Sequence, residues 1–70
     1  MSSREIVARN LRQFRHAKGL SQEELAHRAV INRNYVGKLE AGQHAATIDM
    51  LDKLADALDI QTGDFFNRNS

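Results

Sequence analysis

The feature that most constrains this chain is how closely its helix start and stop signals follow one another. Ser2 stands three residues before Glu5, and Ser21 three before Glu24. In such a pair the serine hydroxyl takes the N–H of the third helical residue and the glutamate reaches back to the serine N–H, satisfying two donors that a helix start leaves open. Asn32 and Thr47 are further cap residues. Gly19 and Gly42 end helices, because glycine enters the left-handed region without steric cost. Between these marks the apolar residues recur at helical spacing. They are Val7, Leu11 and Phe14; Leu25, Ala26 and Ala29; Val36 and Leu39; then Ile48, Leu51, Leu54, Ala55 and Leu58.

Only short helices fit that frame. The first is expected over roughly Ser3 to Lys18 and the second from the Ser21 cap. The third runs from the Asn32 cap to Gly42, Gln43 to Ala46 form a loop, and the fourth starts at the Thr47 cap. Thr62 caps a short last turn carrying Phe65 and Phe66, and the polar residues Asn67 to Ser70 are expected to fray. No stretch shows convincing strand character. The expected fold is all-α, a compact five-helix bundle over residues 1–70.

Composition narrows the function. Seventy residues, 41% of them hydrophobic, support one core and no ligand-sensing second domain. Cysteine is absent, which excludes disulfides, thiolate metal sites and a cysteine nucleophile, and fits a reducing compartment. His16, His27 and His44 have no ligand spacing, and there is no glycine-rich phosphate loop, paired-carboxylate cleft or Ser-His-Asp order. The expectation is therefore no metal, no cofactor and no enzymatic activity. Apolar runs are three residues or fewer, too short for a membrane span or a signal peptide.

Charge is unevenly placed. Met1 to Lys38 holds eight basic residues against the acids Glu5, Glu23 and Glu24, whereas Leu39 to Ser70 holds two basic residues against six acids. A basic half suits a polyanion. Asp49, Asp52, Asp56 and Asp59 recur along the fourth helix as a solvated face, or as a surface for a basic partner such as a polymerase subunit.

The run Leu20-Ser21-Gln22-Glu23-Glu24-Leu25-Ala26, followed by Asn32-Arg33-Asn34-Tyr35-Val36-Gly37-Lys38-Leu39-Glu40-Ala41-Gly42, resembles the helix-turn-helix of phage-repressor-like regulators, the Xre family. The similarity extends over about Val7 to Phe66, with the motif at about 21–42. The Asn-Arg-Asn-Tyr start of the third helix is similar to controller proteins of restriction–modification systems. The resemblance implies a sequence-specific DNA-binding transcription regulator of the bacterial or phage cytoplasm, acting as a homodimer on an inverted repeat. Two rival readings are an antitoxin-like regulator that binds a toxin, and a protein-interaction module without DNA specificity.

In such folds the third helix enters the major groove, so Arg33, Asn34 and Lys38 become candidate base contacts. Ser21 and Gln22 at the start of the second helix, with Gln43 and His44 after the third, are candidate phosphate contacts. Tyr35 either offers its hydroxyl to a phosphate or packs at the helix start. Gly37, costly inside a helix, lets either DNA or the second helix approach closely. By resemblance Arg15 and Glu40 form a structural ion pair. Ile60, Phe65 and Phe66 mark a dimerisation region over about 58–68, with Phe65 aligned to an inward aromatic and Phe66 left over beside Ile60. Val30 stands where the family usually has glycine, so either Val30 bears strain or the turn takes another path.

Overall fold

A computed structural model describes residues 1–68. It contains α1 (Ser3–Ala17), α2 (Gln22–Ala29), α3 (Arg33–Glu40), α4 (Ile48–Leu58) and a closing 3-10 turn (Thr62–Phe66). The architecture is all-helical as expected, with four α-helices rather than five. The last element is only five residues long and ends at Asn67, whose backbone is extended. There is no room to turn it into a lasting i→i+4 ladder.

Four of the five expected caps, Ser2, Ser21, Asn32 and Thr47, begin helices. Thr62 instead is the first residue of the last turn, behind Gln61 at the cap position, and its hydroxyl donates to Asp52 Oδ1 at 2.5 Å. Ser2 Oγ accepts from Glu5 N at 3.2 Å, and Ser2 N donates to Glu5 Oε1 at 3.0 Å. Ser21 and Glu24 repeat the exchange at 3.0 and 2.9 Å. These serine contacts hold both glutamates below the usual carboxylate range, the backbone N–H contributing most. Asn32 and Thr47 side chains accept from Asn34 N and Met50 N.

The four helix ends share one closure. A residue in the left-handed region follows each, and the next N–H reaches back to close the last turn. Leu20 N donates to Arg15 O, Ile31 N to Ala26 O, Gln43 N to Lys38 O and Ile60 N to Ala55 O, all at 3.0–3.1 Å. The left-handed residues are Gly19, Val30, Gly42 and Asp59. Glycine is the expected choice and aspartate tolerates the region, but valine does not. Val30 has φ 57° and is 82% exposed, so the turn keeps its ordinary path and the valine bears the strain.

Leu11, Leu25, Val36, Leu39, Leu54, Leu58 and Phe65 form the centre of one core. Phe14 packs edge-on against Phe65 with centroids 6.1 Å apart. Ile48 departs from expectation. It is exposed, because it occupies the first position of α4, ahead of the turn that meets the core. Asn67 departs as well. Buried Asn10 donates from Nδ2 to Phe65 O at 2.7 Å and to Asn67 O at 2.8 Å, tying the chain down where fraying was expected. Of the rest of that polar tail, Arg68 is described and exposed, and residues 69–70 lie outside the described residues.

Candidate nucleic-acid interface

The site is built from α2, the turn at Val30 and α3. Val36 and Leu39 bury one face of α3, which turns the other outward. Arg33, Asn34 and Lys38 are all exposed, Arg33 and Asn34 at its first turn and Lys38 further along. Asn32 serves as the cap, its Oδ1 taking the N–H of Asn34 at 2.7 Å.

A buried polar brace fixes α3 against its neighbours. Arg15 Nε donates to Glu40 Oε2 at 2.6 Å and Nη2 to Oε1 at 2.9 Å, while Nη1 donates to Leu20 O at 2.8 Å. The side chains are 11% and 4% exposed, so the expected ion pair is present and mostly dry. Its hydrogen bond to Glu40 holds the Arg15 guanidinium still more firmly in its charged form. Arg12 adds a contact that local pattern did not signal, donating from Nη1 to the backbone oxygen of Glu40. That places a cation on the C-terminal end of α3, where the helix dipole favours one.

Gln22 joins the same brace. Its Nε2 donates to Glu40 Oε1 at 3.0 Å, which orients the carboxamide at the start of α2. Ser21 Oγ is occupied as an acceptor by its own helix, leaving the hydroxyl hydrogen to donate elsewhere. After α3, Gln43 and His44 are exposed in the loop, and the His44 ring stacks on Tyr35 at 6.0 Å and 27°. Tyr35 is half-buried against the core. The structure therefore brings Tyr35 and His44 together, and packs the tyrosine ring at the start of α3.

The basic half is partly spent internally. Arg12 and Arg15 hold Glu40, and Lys18 pairs with Asp59 at 2.8 Å, drawing the Asp59 carboxyl below its ordinary range. Arg33 and Lys38 keep their exposed positions on α3.

Two interface expectations change. Phe65 is fully buried and belongs to the core, so it has no surface to offer a partner. Ile60 is half-buried and packs against the same core. Phe66 remains, 48% exposed. It lines a shallow cleft with Ser3, Arg4, Val7, His44, Ala46 and Leu51. Among the described residues no cluster of His, Cys, Asp or Glu could hold a metal, and no helix is long and apolar enough to cross a membrane.

Capped α2, a tight turn and α3 with an outward polar face define a helix-turn-helix, and the family model described as Helix-turn-helix matches residues 11–65. The chain belongs to this family, the DNA-binding helix-turn-helix transcription regulators. Its relatives there include control proteins of restriction–modification systems. It is 40% identical to the control protein C.SmaI of Serratia marcescens over 58 residues, 83% of this chain and 69% of that one. It is 31% identical to the control protein C.BamHI of Bacillus amyloliquefaciens over 63 residues, 89% of this chain and 78% of that one. The crystal structure of the restriction–modification controller protein C.AhdI from Aeromonas hydrophila superposes with a TM-score of 0.87 at 43% identity, covering 90% of this chain and 96% of that one.

Proposed function

We propose that the chain binds an inverted-repeat DNA operator as a homodimer and so regulates transcription, in the manner of a restriction–modification controller protein. The observation that carries this reading is the exposed row of Arg33, Asn34 and Lys38 on a helix whose opposite face is locked by the Arg15–Glu40–Gln22 brace. Arginine matches the two acceptors of guanine, and asparagine matches the acceptor and donor of adenine. Lys38 reaches base or backbone. Ser21, Gln22, Tyr35, Gln43 and His44 flank that row as phosphate contacts.

The dimensions support a dimer. The longest extent of the molecule is 28 Å. Consecutive major-groove faces lie about 34 Å apart, so reading two half-sites takes two copies. Phe66 supplies an exposed apolar contact for that pairing. Exposed Asp49 and Asp56 on α4 leave an acidic face for a basic partner such as an RNA polymerase subunit. On this reading the protein works in the cytoplasm, as a regulator and not as a catalyst.

Equilibrium binding to a duplex selected by the protein from a random-sequence pool tests the reading. Log affinity should fall linearly with log salt, with a slope of about −0.9 for each phosphate neutralised. A protein that selects no duplex, yet retains a protein partner, would contradict it and favour the interaction module.

A further inference from the structure

Three of the helices start on hydroxyl caps, Ser2, Ser21 and Thr47. The outward-facing α3 starts on an amide, Asn32. Each cap satisfies a backbone N–H, and serine does so as well as asparagine. Capping alone therefore does not call for an amide at α3.

What differs is the group left over once the cap is made. Asn32 Oδ1 accepts from Asn34 N at 2.7 Å. The two ends of the carboxamide cannot trade places, because the N–H of Asn34 needs an acceptor and the amide nitrogen is a donor. Nδ2 sits on the same planar carbon and so points away from the N–H that holds Oδ1. The backbone is pinned on both sides: Ile31 N donates to Ala26 O at 3.0 Å, and Tyr35 N donates to Asn32 O at 3.1 Å. Asn32 is exposed, as are Arg33 and Asn34 after it. Nδ2 has no partner among the described residues. The result is a pair of N–H donors held in a fixed orientation beside Arg33.

We propose that Asn32 is a specificity-determining residue as well as a cap, its Nδ2 donating to the acceptor-bearing edge of a guanine or thymine at a base pair other than the one Arg33 reads. The proposal rests on the DNA-binding reading above and adds to it a reader that stands before α3 itself. In the major groove guanine offers N7 and O6 and thymine offers O4. Cytosine offers the N4 donor, and adenine sets its N6 donor beside N7. An asparagine that presents both ends of its amide matches adenine. One whose Oδ1 is held by its own helix has donors to offer.

The test compares wild type with Asn32→Ser and Asn32→Asp on every single-base variant of the duplex that wild type selects from a random pool. Both replacements keep a cap oxygen. Preference at each base pair is read as a ratio of affinities, so any change in folded fraction cancels. Wild type should favour guanine or thymine by about tenfold at one base pair of each half-site. Asn32→Ser, too short to reach, should bring that preference below about twofold. Asn32→Asp places a carboxylate oxygen where Nδ2 stood, and should reverse the preference toward cytosine or adenine, whose exocyclic amines donate. Preferences unchanged at every base pair would overturn the assignment, whether affinity stays the same and Asn32 is a cap alone, or falls uniformly and Asn32 contacts phosphate. So would a change confined to the base pair that Arg33→Ala affects, since Asn32 would then only support Arg33. A wild-type protein that does not prefer its selected duplex over a shuffled one of equal length is a separate result, and it defeats the DNA reading together with the proposal.

Discussion

Arg15 shows how much one side chain can carry in a chain of this size. Three of its nitrogens donate hydrogen bonds, two to Glu40 and one to the carbonyl of Leu20 that precedes α2. Removing it leaves the Glu40 carboxylate buried with Gln22 as its remaining side-chain donor. Breaking one side of such a pair costs about 3–5 kcal/mol, against about 0.5 kcal/mol or less for an exposed side chain. Arg15→Ala should therefore lower the melting temperature by roughly 10 °C or more, while Arg4→Ala, at an exposed position, leaves it nearly unchanged. Equal melting of the two variants by circular dichroism would contradict a structural role for the pair. The Arg15–Glu40 pairing was visible in the sequence only through the family resemblance. Nothing local links residues 25 positions apart. For the same reason Arg12 on the end of α3, and Asn10 on the carbonyls of Phe65 and Asn67, went unread.

At the scale of elements, helix starts were legible and helix stops only half so. A cap is a local event, written by a residue and its second or third neighbour, and Ser2, Ser21, Asn32 and Thr47 all announce it. A stop is local only when glycine marks it. Gly19 and Gly42 did, whereas Val30 and Asp59 adopt the same left-handed backbone without the signal. Ile48 misled because periodicity does not reveal that a helix's first residue lies ahead of the contact. The turn at Val30 yields a prediction. A non-glycine residue there costs about 1–2 kcal/mol, partly offset by the greater freedom of glycine in the unfolded chain. Because Val30 is exposed, Val30→Gly loses little packing. It should stabilise the protein by about 0.5–1 kcal/mol and raise the melting temperature by several degrees. A variant that melts below wild type would show that Val30 contributes a contact outweighing its strain.

For the whole molecule, the base contacts proposed on the outward face of α3 and the proposed pairing of two copies belong together, since each copy would present one α3 to one groove. Which side of α3 faces outward was legible once the motif was recognised, because burial of Val36 and Leu39 dictates which side remains. The surface proposed for the dimer was less legible, because two adjacent phenylalanines cannot be assigned to core and surface by spacing alone. The structure sends Phe65 inward and leaves Phe66 at the surface. Phe66→Asp should give a folded monomer by sedimentation equilibrium, with much weaker duplex binding. A wild-type protein that sediments as a monomer at about 100 µM would contradict that surface as the interface, since a regulatory dimer has to form well below that concentration. The central claim is that α3 reads bases through Arg33. The most direct measurement compares wild type, Arg33→Ala and Gln22→Ala on every single-base variant of the selected duplex, at two salt concentrations. Arg33→Ala should lose about 1–3 kcal/mol per half-site and erase discrimination at one base pair of each. Gln22→Ala should weaken all variants alike and reduce the salt slope by about one unit. If Arg33→Ala instead lowers affinity uniformly across every variant, Arg33 contacts phosphate and the claim that it reads sequence is wrong.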